Sequence, residues 1–145
     1  GFGGIALRAF PFEHMEAMDG FRFVVDGVVP NGLTRVLSLA SLGMTFKAVM
    51  ASVDMILTKP GYGTIVEAVA LGIPVVYVRR YNFPDEPPLV DHLHRYGRGA
   101  ELSLADFLQG RWNAAIEQAF ARPLSSTPPP LSGAQDAAHI LKDYV

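Results

Sequence analysis

Short apolar runs alternate along this chain with stretches in which apolar residues return every three or four positions. Residues 21–25 are apolar except at Arg22, residues 36–39 give a shorter run, and 54–58 and 75–78 give two more. Runs apolar at consecutive rather than alternate positions predict strands buried on both faces, the habit of parallel sheets. Between them the helical period predicts a helix from Pro11 or Phe12 to residue 18, stopped by Asp19-Gly20. A second helix is predicted over 46–53, capped by Thr45, with Phe46, Val49, Met50 and Val53 on one face. A third, over 64–71, ends at Gly72, which suits a left-handed cap. Leu89, Leu93 and Tyr96 mark a helix closed by Gly97, and 100–102 a short edge strand. Ser103 and Asp106 have capping-box spacing ahead of an amphipathic helix over 112–120. Repeated units of this kind predict a three-layer α/β/α Rossmann-like domain around one doubly wound parallel sheet, with strands 54–58 and 75–78 adjacent and joined by helix 64–71.

Residues 123–131 hold four prolines and several hydroxyls, and a last helix follows around 137–144. This divides the chain into a binding domain over 1–122 and a proline-rich connection with a terminal helix over 123–145.

Half of the 145 residues are hydrophobic, enough for one domain to bury a core. Fourteen acidic against twelve basic residues leave a net charge of -2, which gives no electrostatic case for a nucleic-acid backbone. A small substrate is the expected partner. The chain has no cysteine, so disulfides and thiolate metal sites are excluded. His92 and His94 stand two apart on a predicted helix and do not share a face, so no metal and no cofactor is expected. The longest apolar stretch, 68–78, contains Gly72 and Pro74 and is too short to cross a bilayer. Neither an initiating methionine nor a basic leader opens Gly1-Phe-Gly-Gly4, and Gly3-Gly4 looks like a turn with no strand ahead of it. The expectation is a chain cut just inside an α/β unit, its first strand missing.

The candidate chemistry lies in Lys59-Pro-Gly-Tyr-Gly-Thr64. Gly61 and Gly63 permit close backbone approach, and a helix starting at Thr64 leaves amide groups free to meet a phosphate. The pattern is neither the Walker loop nor the nicotinamide fingerprint. The plainer reading is an ordinary tight turn with Lys59 at the surface and Thr64 as cap. Glu67, three residues on, either reciprocates that cap or accepts hydrogen bonds from ribose hydroxyls. Asp85 and Glu86 lie in a polar loop leaving the carboxyl end of a strand, where doubly wound folds bind ligands; they are sugar-hydroxyl acceptors or ordinary solvated acids.

The run 51–78, Ala-Ser-Val-Asp-Met-Ile-Leu-Thr-Lys-Pro-Gly-Tyr-Gly-Thr-Ile-Val-Glu-Ala-Val-Ala-Leu-Gly-Ile-Pro-Val-Val-Tyr-Val, resembles the C-terminal, nucleotide-sugar-binding domain of GT-B glycosyltransferases, especially the family 28 group. It looks still more like the glycosyltransferase-like amino-terminal region of plant arabinokinase-type proteins. There Lys59 through Glu67 is followed by the Arg79-Arg80 and Asp85-Glu86-Pro87 pattern present in this chain. The resemblance covers most of the chain and weakens after Arg122.

What it implies is residue-specific. Gly3 and Gly4 would belong to a phosphate-facing loop, and Thr45 and Phe46 to the wall beside the base. Gly61, Gly63 and Thr64, with Lys59 and Tyr62 in the same turn, would form the donor diphosphate region. Glu67 would take the ribose of a uridine nucleotide, and Asp85 and Glu86 would meet the donor sugar. The Asp-Gln or Gln-Gln pair usual in these transferases is replaced by Asp85-Glu86, which leaves donor identity open.

The activity implied is transfer of a hexosyl group from a UDP-sugar, or another nucleoside diphosphate sugar, to an acceptor hydroxyl. The partner would be an amino-terminal domain of the same protein that supplies acceptor contacts and the general base, and this chain alone is expected to transfer nothing. The competing readings are a noncatalytic sugar-nucleotide-binding or regulatory module and, behind it, a fragment of a sugar-nucleotide epimerase. The expected location is cytoplasmic, with any peripheral membrane association supplied by parts outside this chain.

Overall fold

Every strand pairing is parallel in the computed structural model, which describes residues 10–127, 129–130, 132–142 and 144. β1 (Phe23–Val25) lies beside β2 (Val36–Ser38), with Phe23 opposite Val36. β3 (Ile56–Thr58), β4 (Val75–Tyr77) and β5 (Gly99–Glu101) form a second sheet in that order, with Ile56 opposite Val75 and Val75 opposite Gly99. The expected neighbours are therefore neighbours, joined by helix α3 (Tyr62–Leu71).

The single sheet expected from sequence is replaced by two hydrogen-bonded groups, for among the described residues no ladder joins β1 or β2 to the other three strands. Side chains make that connection instead. Val25 and Val36 pack in the same core as Val76 and Val78.

Alternation along β4 sorts the core into two sides. Val76 and Val78 face Ala100, Phe107, Trp112 and Ile116; Val75 and Tyr77 face Ile65, Val69, Leu89 and Leu93. Helices α1 (Phe12–Ala17), α5 (Leu104–Leu108) and α6 (Asn113–Ala121) contribute to the first side, and α2 (Phe46–Met50), α3 and α4 (Glu86–Tyr96) to the second. Layers of helix, sheet and helix are the result. The terminal helix α7 (Gly133–Lys142) buries none of its residues.

Several local devices match the sequence. The Thr45 hydroxyl accepts from the Ala48 amide at 3.2 Å, and Gly72 closes α3 with φ +69°. Ser103 accepts from the Asp106 amide at 3.0 Å and donates its hydroxyl proton to the Asp106 carboxylate at 2.6 Å. That bond and the Arg111 guanidinium hold the Asp106 carboxyl below its ordinary range.

Two helix starts differ from expectation, and both bear on the site. Helix α3 begins at Tyr62 with Gly61 as its cap, so Thr64 is the third helical residue and caps nothing. Helix α4 begins at Glu86, with Pro87 and Pro88 in its first turn, where a missing amide proton breaks no helical bond. Glu86 is thus a helix residue and not part of a solvated loop.

Candidate functional site

The carboxyl ends of β3 and β4 open onto the two segments that carry most of the sequence candidates. After Thr58 the chain turns through Lys59 and Pro60 to Gly61, whose extended backbone (φ -146°, ψ 140°) starts α3 without any side-chain cap. The first bond of this turn runs from the Ile65 amide to the Gly61 carbonyl at 2.9 Å. The amides of Tyr62, Gly63 and Thr64 precede it and have no acceptor within the helix. Ten residues of helix lie behind them, aligning the peptide dipoles with the positive end at this turn.

The Lys59 ammonium folds back over the same turn, so that a Cβ built on Gly61 would stand 3.1 Å from Nζ. Partial burial, and then the neighbouring Arg80 charge, hold the Lys59 amine below the ordinary lysine range, while Glu86 pulls the other way. Cation and free amides therefore converge on one spot, an arrangement that attracts an anion.

Glu67 is the sixth residue of α3, one turn beyond Thr64 on the same side of the helix. Because Thr64 is not the cap, the reciprocal capping role considered for Glu67 has no amide to serve. Among the described residues the Glu67 carboxylate makes no hydrogen bond or ion pair.

The second segment leaves β4 as Arg79-Arg80 and reaches α4 through 81–85. Glu86 is 1% exposed, and both its oxygens are occupied. Oε1 accepts from the Arg80 amide at 2.8 Å and lies 3.5 Å from Arg79 Nε; Oε2 accepts from Arg80 Nε at 3.0 Å. A second arm of Arg80 donates from Nη2 to the Pro60 carbonyl at 2.7 Å. Asp85 is the residue before α4, exposed, and its carboxylate caps nothing.

The structure thus brings Lys59, Gly61, Tyr62, Gly63 and Thr64 together at one helix start and links Glu86 to them through Arg80. Thr45 and Phe46 lie at the exposed start of α2, where the Thr45 hydroxyl is engaged as a cap. Gly3 and Gly4 lie outside the described residues. Sequence reasoning passed over Arg80 as a site residue, although an arginine at a strand end followed six residues later by an acid at a helix start is a readable signal. Among the described residues no three histidine, aspartate or glutamate side chains gather as a metal group, and no helix is long and apolar enough to cross a membrane.

A further polar pair lies under this edge. The Tyr77 hydroxyl is 2.7 Å from His94 Nε2, with the rings edge to face. Burial, and then the Glu101 charge, push the Tyr77 phenol up to about 12. Burial also holds His94 below the ordinary histidine value of 6.5. In the folded chain His94 then binds fewer protons than in the unfolded chain, so its contribution to stability is lost as pH falls through the unfolded value. The urea midpoint is expected to drop on acidification from about pH 7 to about pH 5.5, and His94→Gln is expected to flatten that slope. Identical slopes in the two proteins would remove His94 as the cause.

No protein-family model matches the chain. Over 96 residues it is 38% identical to L-arabinokinase of Arabidopsis thaliana, a match that spans 66% of this chain and 9% of that protein. The crystal structure of the glycosyltransferase SnogD from Streptomyces nogalater aligns with 92% of this chain and 39% of that one, at 22% identity and a TM-score of 0.44.

Proposed function

We propose that this chain binds the nucleoside diphosphate part of a sugar nucleotide at the start of α3, as the donor-binding half of a glycosyltransferase acting on a UDP-sugar. The observation that carries the reading is the uncapped helix start at Gly61 with the Lys59 ammonium laid against it. In this reading the amides of residues 62–64 and Lys59 hold the diphosphate. Glu67, free of other partners among the described residues, accepts hydrogen bonds from the ribose. Asp85 is the acid that reaches the sugar, because the Glu86 oxygens are held by arginines. Charge developing on the departing diphosphate would meet fixed dipoles and one ammonium, a form of stabilisation that needs no covalent residue here.

The acceptor site and general base would come from an amino-terminal domain, while Gly3 and Gly4 would belong to a phosphate-facing loop of this donor-binding domain itself.

The second reading, a noncatalytic sugar-nucleotide-binding module, is favoured by the likeness to a short part of a protein named as a sugar kinase. Both readings require nucleotide binding, so calorimetry with uridine, guanosine and adenosine diphosphates tests them together. Uridine diphosphate is expected to bind best, and Glu67→Gln to weaken it by about 1–3 kcal/mol through loss of charged hydrogen bonds. The melting temperature should stay nearly unchanged, because Glu67 caps nothing. Absence of binding, or equal affinity of the two proteins, counts against the site.

A further inference from the structure

One guanidinium ties together two segments that the proposed site needs at a fixed separation. The Arg80 side chain is only 11% exposed, and its Nε, its Nη2 and the face of its guanidinium each meet a different partner. Nη2 meets the Pro60 carbonyl just before α3, Nε meets Glu86 at the start of α4, and the Phe83 ring of the connecting loop lies 3.8 Å from the guanidinium carbon. The Arg80 amide adds a second bond to the same carboxylate. A buried ion pair is a poor means of gaining stability alone, since apolar residues of similar volume often do as well. What a planar fork adds is direction.

The direction matters at Pro60. Its carbonyl shares a rigid peptide plane with the Gly61 amide, so orienting the oxygen also orients the entry to the helix start. The loop 81–85 is closed by the same fork, between Arg80 itself and Glu86.

We propose that Arg80 is a positioning residue that locks the Pro60–Gly61 peptide, the 81–85 loop and the start of α4 into one frame, so that the diphosphate turn and the sugar-facing loop meet the two ends of a single ligand. This rests on the nucleotide-sugar reading above and names the device by which its two subsites are coupled. A frame ordered before binding spares the ligand the entropy of ordering it.

Arg80→Lys keeps the charge and the stem, but one ammonium cannot reproduce the fork between Pro60 and Glu86. Two measurements on the 145-residue chain read the consequence. Without ligand, amide order parameters at Gly61, Tyr62 and Gly63 should fall from about 0.85 to under about 0.6 in Arg80→Lys, while those of α6 stay unchanged. In calorimetry the variant should lose ten-fold or more in affinity for UDP-glucose, which spans both segments, and clearly less for UDP, which reaches only the turn. A general loosening of the fold would lower both affinities alike. Unchanged order parameters at the turn, or a UDP-glucose loss no greater than the UDP loss, overturns the proposal. If the wild-type chain binds neither compound, the nucleotide-sugar reading fails by itself, and the ligand-free comparison still decides whether Arg80 holds the frame. Should Arg80→Lys not fold, Arg80→Met combined with Glu86→Gln removes both buried charges, keeps an acceptor for the amide at position 80, and is read by the same two measurements.

Discussion

Trp112→Ala is expected to cost about 3–5 kcal/mol, a large share of the roughly 5–15 kcal/mol that holds a domain together. Trp112 is 2% exposed and stands where the two sheets share a core. Its ring stacks on Phe107 at 5.5 Å and meets the edge of Phe23 at 5.7 Å, so one side chain joins α5 to β1. Its indole N–H donates to the Phe107 carbonyl at 2.9 Å. Deleting the ring removes the buried area, two aromatic contacts worth about 0.5–1.5 kcal/mol each, and one hydrogen bond. Trp112→Phe keeps a stacking ring and should lose under half as much. Urea unfolding followed by circular dichroism measures both variants. A loss under about 1 kcal/mol for Trp112→Ala would mean that β1 and β2 are held to the larger sheet by something other than this cluster.

The parts of the fold that could be read from sequence are those governed by neighbours along the chain. Consecutive apolar residues marked β3 and β4 because a strand buried on both faces has no polar position to show. Thr45, Gly72 and Ser103 were legible because each acts on backbone groups within a few residues. The division into two sheets was not legible. Whether β1 pairs beyond β2 depends on groups far away in sequence, and three-residue strands carry no signal of their outer partner.

The start of α3 was misread for a local reason. Thr64 is a better capping residue than Gly61, and Gly63 inside a helix costs about 1 kcal/mol relative to alanine, so propensity places the boundary after the second glycine. The structure places both Tyr62 and Gly63 in the first turn. The unbonded amides of the first turn consequently lie two residues nearer Lys59, whose ammonium stands over the same turn, and Glu67 falls a full turn beyond them. The prolines after Glu86 misled in the same way. They read as loop, yet a helix tolerates proline where its amides are unbonded. Once Glu86 is placed at the head of α4, its burial and its arginine partners follow, and Asp85 is left as the exposed acid.

Glu86→Ala is expected to destabilise the chain by about 3–5 kcal/mol, because removing one member of a buried ion pair leaves the other charge without compensation. The Arg80 guanidinium would retain the Pro60 carbonyl but lose the carboxylate that accepts from its Nε and from its own amide. Arg79 would lose its 3.5 Å partner as well. Glu86→Gln keeps an acceptor for the Arg80 amide and fills the same space, so its loss should be smaller. The double variant Arg80→Ala with Glu86→Ala should cost less than the sum of the two single changes, since neither charge is then stranded; a coupling of at least about 1 kcal/mol is expected for partners in direct contact. Urea unfolding of the four proteins at one pH closes the cycle. A Glu86→Ala loss within about 0.5 kcal/mol, or strict additivity, would show that the carboxylate is solvated in solution and free to meet a sugar. The cycle therefore tests whether Glu86, 1% exposed, is spent on holding Arg80, which leaves Asp85 as the exposed one of the two adjacent acids.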